Sequence, residues 1–280
     1  QMNRKNYVWV GMVVLSLAYF GWRVVEYNAG AVYVYAKDGN GDWQQTAKLT
    51  ANDAAAGDAF GTAIAFENGR LAVSAAENGN AGSVYIFELQ TNGSWSETAK
   101  VLPTGVVPND LFGSEVKLHG DQLLVSAPYY STFDIKRGAV FVFERQSAGS
   151  WSALQTISTT AAGASFGEYD EYRFGADFDV ENGLLVITEE GSPFSKTALH
   201  VHEQQPDGTW ASSKVIDTFE TLADLGAVDL SGDKILVGAS NNFPTNSIGA
   251  LFVYTKQNGE WAVEQKFYDS AAGSGLALGS

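Results

Sequence analysis

The stretch from Phe112 to Trp151, FGSEVKLHGDQLLVSAPYYSTFDIKRGAVFVFERQSAGSW, reads as short strands divided by turns. Phe112-Gly113 opens one strand, and His119-Gly120-Asp121-Gln122 is a turn leading to an aliphatic strand, LLVSA from Leu123. An alternating strand, AVFVF at Ala139–Phe143, comes next, and a turn ending Ala148-Gly149 leads to a strand that starts at Trp151. β-branched and aromatic residues suit a half-buried pleated surface, and the glycines supply the positive φ of tight turns.

The same order recurs along the chain. Trp43, Trp95, Trp151, Trp210 and Trp261 each follow such a turn, at intervals of 52, 56, 59 and 51 residues. The alternating strand returns as AVYVY (Ala31–Tyr35), SVYIF (Ser83–Phe87), ALHVHE from Ala198 and ALFVY (Ala250–Tyr254). Phe-Gly returns at Phe60-Gly61 and Phe174-Gly175, with Leu225-Gly226 in the next unit, and the aliphatic strand returns from Leu71, Leu184 and Ile235. A unit that recurs this way buries its apolar faces against copies of itself. Four strands in about 50 residues describe a propeller blade.

These motifs carry a family resemblance. Phe-Gly, an aliphatic strand ending Val-Ser-Ala-Pro or Val-Gly-Ala, and then Gly-Ala-Val-Phe-Val-Phe resemble the FG-GAP repeat of integrin α-subunit propellers and their bacterial relatives. The likeness spans roughly residues 20–280 and is clearest at Phe112–Phe143 and Leu225–Tyr254. It is weakest at Phe174–His202, where LLVITEEG and ALHVHE replace the usual segments.

Complete units begin at Phe60, Phe112, Phe174 and Leu225, and the N-terminal side adds only AVYVY and WQQTAKL. SGLALGS from Ser274 resembles the opening strand of another unit. The expectation is an all-β fold: a five-bladed β-propeller of four-stranded antiparallel blades over residues 26–280. Its last blade is closed by N- and C-terminal strands, with Trp22–Tyr27 supplying the missing one, which removes open edges. A piece of a longer six- or seven-bladed array is the competing reading.

Residues 1–25 stand apart. Asn3, Arg4 and Lys5 precede the uncharged run Tyr7–Trp22, which Arg23 closes. An N-terminal hydrophobic helix is expected, serving as membrane anchor, uncleaved signal or assembly helix. A cleaved signal peptide and a short helix or strand packed on the domain are the alternatives. Basic residues ahead of the apolar run place the remainder outside the cytoplasm.

Composition narrows the function. Hydrophobic content of 45% and 30 glycines suit a cored chain of many turns. A formal charge of −15 opposes a phosphate backbone, so nucleic acid is excluded as a partner. With no cysteine there is no disulfide, thiolate nucleophile or thiolate metal knuckle. No cofactor is expected. The family resemblance implies calcium in Asp-rich loops, but the corresponding turns here, such as Glu67-Asn68-Gly69-Arg70, are too short to wrap a cation needing six to eight oxygens. Asp38, Asn40 and Asp42 show D-x-N-x-D spacing and form a weak metal candidate, but they align with plain hairpin turns at Asn92-Gly93 and Asn258-Gly259.

No catalytic motif is present, and no enzyme is expected. His200 and His202 occupy positions held by aromatics in other units and read as packing residues. Asp177 with Asp179 reads as a strand face, and Glu189-Glu190 as a solvated loop, with acid–base work the alternative for both pairs.

The connections after the Trp strand and after the aliphatic strand emerge on one face and vary in length, which is where propellers place function. Tyr129, Tyr130, Phe133 and Asp134 fall in one such loop, and Glu168, Tyr169, Asp170 and Tyr172 in the longest. Tyrosine mixed with acids suits a recognition surface, while loop packing and a cation site remain open for the same residues. Two functional readings follow. One is a non-enzymatic extracytoplasmic recognition or adhesion propeller, cell-surface or periplasmic, tethered by its N-terminal helix and binding a protein or glycan on the loop face. The other is a structural subunit of a filament or membrane complex, with residues 7–22 packed among partner subunits and the propeller outermost. Homo-oligomer formation stays open in both.

Overall fold

The computed structural model describes residues 8–11, 29–78, 81–132, 135–159, 173–190, 197–216, 225–239 and 250–268. Every regular element there is a β-strand. The first sheet has the order β1 (Val8–Gly11), β2 (Val32–Lys37), β3 (Trp43–Leu49). The second runs β4 (Phe60–Glu67), β5 (Arg70–Ala75), β6 (Ser83–Leu89), β7 (Trp95–Val101). The third sheet comprises β8 (Val116–His119) and β9 (Gln122–Ala127), then, past a separate hairpin of β10 (Ser131–Thr132) and β11 (Ile135–Lys136), β12 (Ala139–Arg145) and β13 (Trp151–Ile157). The fourth is β14 (Arg173–Glu181), β15 (Leu184–Glu190), β16 (Ala198–Gln204), β17 (Trp210–Ile216). The fifth is β18 (Leu225–Ser231), β19 (Lys234–Ala239), β20 (Ala250–Gln257), β21 (Glu260–Tyr268).

Four of the five large sheets are four-stranded, with sequence neighbours paired as the repeat predicts. Phe112 does not open its strand: Phe112–Ser114 form a turn, and pairing starts at Val116. The hairpin of β10 and β11 was not foreseen.

The N-terminal expectation needs correcting. Val8–Gly11 is a strand, antiparallel to β2 with Val10 opposite Val34, and not part of a helix. It occupies the place that the aliphatic strands β5, β9, β15 and β19 hold in the other sheets. Alternating Val8-Trp9-Val10 suits a strand as well as a helix, and cross-strand pairing with β2 decides between them. The rest of residues 1–25, Trp22–Tyr27 and Ser274–Leu278 lie outside the described residues. Among those described, no helix is long and apolar enough to cross a membrane.

The chain divides into two compact units, Gln1–Leu123 with Arg145–Trp151, and Leu124–Glu144 with Ser152–Ser280, the division running through the third sheet. In the first unit Val32, Val34 and Leu49 of the first sheet pack on Leu71, Val73, Tyr85 and Phe87 of the second. In the second unit Leu124, Val140 and Val142 pack on Phe178, Leu185, Ile187 and Trp210. Val186, Leu199 and Val201 pack in turn on Val228, Ile235, Val237 and Phe252. Each cluster is the face of one sheet laid on the face of the next.

The signature residues make these junctions. Gly30 forms a parallel bridge with Phe60, and Gly138 with Phe174. A Cβ at Gly30, Gly82 or Gly138 would overlap the carbonyl oxygen of Phe60, Phe112 or Phe174 respectively. The Gly before each aromatic strand and the Phe of the following Phe-Gly are therefore two sides of one backbone contact. In the fourth sheet the buried Thr197 stands where that glycine would be, and Leu225 where the Phe would be. Among the described residues Thr197 Oγ1 has no hydrogen-bond partner.

Carboxylates reinforce the junction between the fourth and fifth sheets. Asp177, Asp179 and Glu181, alternate residues of β14, accept from the backbone N–H groups of Val228 (2.6 Å), Leu230 (2.8 Å) and Gly232 (2.8 Å). In the first unit Glu67 accepts from Gly120 N at 2.8 Å in the same manner. Asp177 and Asp179 thus satisfy the edge of β18, and the acid–base alternative for this pair is not supported.

Candidate functional site

Each large sheet has a turn end, where close hairpins lie, and a loop end, where the longer connections emerge. Within the second unit the loop ends of β9, β13, β14, β15 and β16 come together. Tyr130 follows β9; its carbonyl accepts from Arg137 N (3.1 Å) and Gly138 N (3.0 Å), and its ring meets that of Phe141 edge-on at 5.2 Å. Phe174 N donates to Arg137 O at 2.9 Å, which ties this loop to the start of β14. The Phe174 ring in turn meets the His200 ring edge-on at 5.0 Å. His200 Nε2 lies 2.6 Å from Glu189 Oε2, and Thr159 Oγ1 donates to Glu189 Oε1 at 3.3 Å. Arg173 pairs with Glu190 beside them.

Tyr129 and Tyr130 are half-buried, and Tyr130 packs on its own sheet. Phe133, Asp134, Glu168, Tyr169, Asp170 and Tyr172 lie outside the described residues. Glu189 and Glu190 belong to β15 and are not a solvated loop. His200 and His202 are the packing residues expected of their register, but His200 also forms the polar pair with Glu189. His202 is buried with Nδ1 unpartnered, and burial, followed by the nearby His200, pushes its pKa down to about 4.

The first unit holds a polar cluster at its own loop end, on Tyr85, which has the position in β6 that His200 has in β16. Tyr85 is fully buried, and its hydroxyl donates to Asp53 Oδ1 at 2.8 Å. Lys100 Nζ, at the end of β7, donates to Asp53 Oδ2 (2.7 Å) and Asn78 Oδ1 (3.0 Å) and lies 5.1 Å from the Tyr85 ring centre. Ser83 Oγ also donates to Asn78 Oδ1 at 2.8 Å. Glu97 accepts from Asn52 N at 2.8 Å, which fixes the loop that carries Asp53. Hydrogen bonds from Lys100 and then Tyr85 hold the Asp53 carboxyl below its ordinary range. Burial pushes the Tyr85 hydroxyl up. Burial opposes the Lys100 charge, but the bonds to Asp53 and Tyr85 outweigh it and raise its pKa.

Sequence reading missed this cluster because its members are far apart in the chain. One signal was available. Lysine stands opposite the same aromatic position in three sheets, Lys48 over Tyr33, Lys100 over Tyr85 and Lys266 over Phe252, and the register alone places them there.

The weak metal candidate forms a hairpin turn. Asp38 Oδ1 accepts from the N–H groups of Asn40 (2.8 Å) and Asp42 (3.1 Å), and the bond from Asn40 is the main reason its pKa is lowered. Asp207 serves Thr209 in the equivalent turn of the fourth sheet, and Asn92 serves Ser94 in the second. Among the described residues no group of three or more His, Cys, Asp or Glu could hold a metal.

The FG-GAP repeat model matches residues 43–87 and 95–143. No curated protein sequence matches the chain. Among solved structures, it is similar to a hypothetical selenium-binding protein from Sulfolobus tokodaii, at 11% identity over 84% of this chain and 56% of that one, TM-score 0.51. A protein from Lactobacillus plantarum matches at 16% identity over 86% of this chain and 65% of that one, TM-score 0.49. A subtype N10 neuraminidase-like protein of A/little yellow-shouldered bat/Guatemala matches at 11% identity over 86% and 74%, TM-score 0.48. The chain thus spans less than two thirds of the length of the first two, and likeness at this identity concerns the fold alone. The matched segments cover its first two Trp-to-aromatic-strand repeats, so residues 43–143 carry FG-GAP repeats, and the same motif order continues through the later four-stranded antiparallel sheets, which are of the β-propeller type.

Proposed function

We propose that this protein is a non-enzymatic recognition or adhesion module that works outside the cytoplasm and binds a protein or glycan through the loop ends of its sheets. The observation that carries this reading is the convergence at the loop end of the second unit. There the side chains of Tyr130, Thr159, Arg173, Glu189 and His200 are held by hydrogen bonds, an ion pair and ring contacts, and Arg137 is held through its backbone. Fixed side chains flanked by variable loops suit binding, since little entropy is lost on contact. Five blades, one for each large sheet, are proposed. Both the tether expected for this module and the filament-subunit alternative relied on a helix at Tyr7–Trp22, and the strand at Val8–Gly11 weakens both.

The test is a binding screen of the full chain against immobilised glycans and extracellular proteins, repeated with Tyr129, Tyr169 and Tyr172 changed to Ala and with His200→Ala. The expected result is loss of the captured ligand by both variants, with thermal melts establishing that each is folded. Retention of every ligand by both variants contradicts the proposal.

A further inference from the structure

The Asp53–Asn78–Lys100 cluster of the first unit, we infer, is a saccharide subsite that takes a vicinal pair of hydroxyl groups on a neutral sugar. This deepens the recognition reading and rests on it. Asp53 comes from the connection between β3 and β4, Asn78 from that between β5 and β6, and Lys100 from the end of β7, so three separate segments of one loop end contribute. Lys100 Nζ bridges the other two, at 2.7 and 3.0 Å, and fixes carboxylate and amide side by side.

Hydrogen-bond capacity identifies the ligand. The Asp53 carboxylate accepts from Tyr85 at Oδ1, from Lys100 at Oδ2 and from its own backbone N–H, which leaves one of its roughly four acceptor sites for a ligand, and the side chain is 53% exposed. Asn78 Oδ1 already accepts from Lys100 and Ser83, which leaves the two amide hydrogens of Nδ2 as its remaining hydrogen-bonding capacity among the described residues. A fixed acceptor beside a fixed donor matches two neighbouring hydroxyls, one donating to the carboxylate and one accepting from the amide. The charges of Lys100 and Asp53 compensate each other within the pair, and Glu97 beside them accepts from Asn52 N, so the cluster presents hydrogen-bonding groups that suit an uncharged polyhydroxylated ligand. Leu102, 59% exposed on the connection that follows Lys100, offers apolar surface at the same end for the C–H face of a sugar ring.

The preorganisation is already present. Glu97 pins the Asp53 loop, Tyr85 is fully buried, and Lys100 is held over the Tyr85 ring, so little ordering remains for the ligand to induce.

The test uses the full chain and a panel of methyl glycosides (gluco, galacto, manno and fuco) by saturation-transfer NMR, with the corresponding deoxy sugars. At least one glycoside is expected to bind at or below about 10 mM, the range of a single monosaccharide contact of a few kcal/mol. Removal of either hydroxyl of one vicinal pair, and the variants Asp53→Asn and Asn78→Ala, should each weaken it roughly tenfold or more, the loss of one good hydrogen bond. Thermal melts establish that each variant is folded, and Asn78→Gln provides a second probe if Asn78→Ala melts early. If no glycoside binds, or binding survives both site variants, the inference is overturned. Sugar binding that survives them but is lost in His200→Ala overturns this subsite while leaving loop-end recognition standing.

Discussion

Gly82 and Gly138 show how much one residue decides in this chain. Both have positive φ, 87° and 79°, and both sit where a Cβ would collide with the backbone of the next sheet. Gly82→Ala and Gly138→Ala should each cost about 3 kcal/mol or more in chemical denaturation, since strain and collision add. A change within ~0.5 kcal/mol, the range of a neutral surface substitution, would refute the backbone contact as the meaning of the repeat glycine. His202 makes a second residue-scale prediction. Its folded pKa of about 4 lies below the ordinary 6.5, so the unfolded chain binds a proton that the folded chain resists. The contribution is full above pH 6.5 and is lost as pH falls towards 4, a swing of about 3 kcal/mol by linkage. His202→Phe, the residue at that position in β6 and β12, should flatten the stability profile between pH 6.5 and 4. An unchanged slope would count against the buried, neutral histidine.

Among the elements, β14 and β18 are joined through side chains. Asp177, Asp179 and Glu181 satisfy three backbone N–H groups, and charged hydrogen bonds of this kind contribute about 1.5–3 kcal/mol each. Asp179→Ala should destabilise by roughly that amount and speed amide exchange at Leu230; exchange at Leu230 equal to the parent would contradict the ladder. The periodic pattern made β2 to β7, β9, β12, β13 and β14 to β21 legible in sequence, because Trp, Phe-Gly, the aliphatic runs and the aromatic alternation mark them. The turn at Phe112–Ser114 was hidden, since nothing local distinguishes it from Phe60-Gly61, where a strand does begin. β1 was hidden for a different reason. Val8–Gly11 sits inside an apolar run whose length suggests a helix, and only its pairing with β2, more than twenty residues away, makes it a strand. Val10→Pro should loosen that pairing and raise amide exchange across Val32–Tyr35. No effect there would favour the helical expectation.

Over the whole molecule, the repeat explains why candidate sites come as variations on one position. Tyr85 in β6 and His200 in β16 are register equivalents at the loop end, one surrounded by Lys100 and Asp53, the other by Glu189 and Thr159. The loop face itself was legible from length variation, whereas the partners of each side chain were not, because they come from different strands brought together by packing. The opposite end of each sheet is occupied by its own turns: Asp38, Asn92 and Asp207 are spent on backbone N–H groups there. If binding belongs to the loop ends, the two ends must respond differently to mutation. The decisive measurement is the affinity of the full chain for its captured ligand in two multiple variants, one with Asp53, Asn78, Tyr129 and His200 changed to Ala, the other with Asp38, Asn92 and Asp207 changed to Gly. Loss of binding in the first and retention in the second is the expected result; loss in the second with retention in the first would contradict recognition at the loop ends.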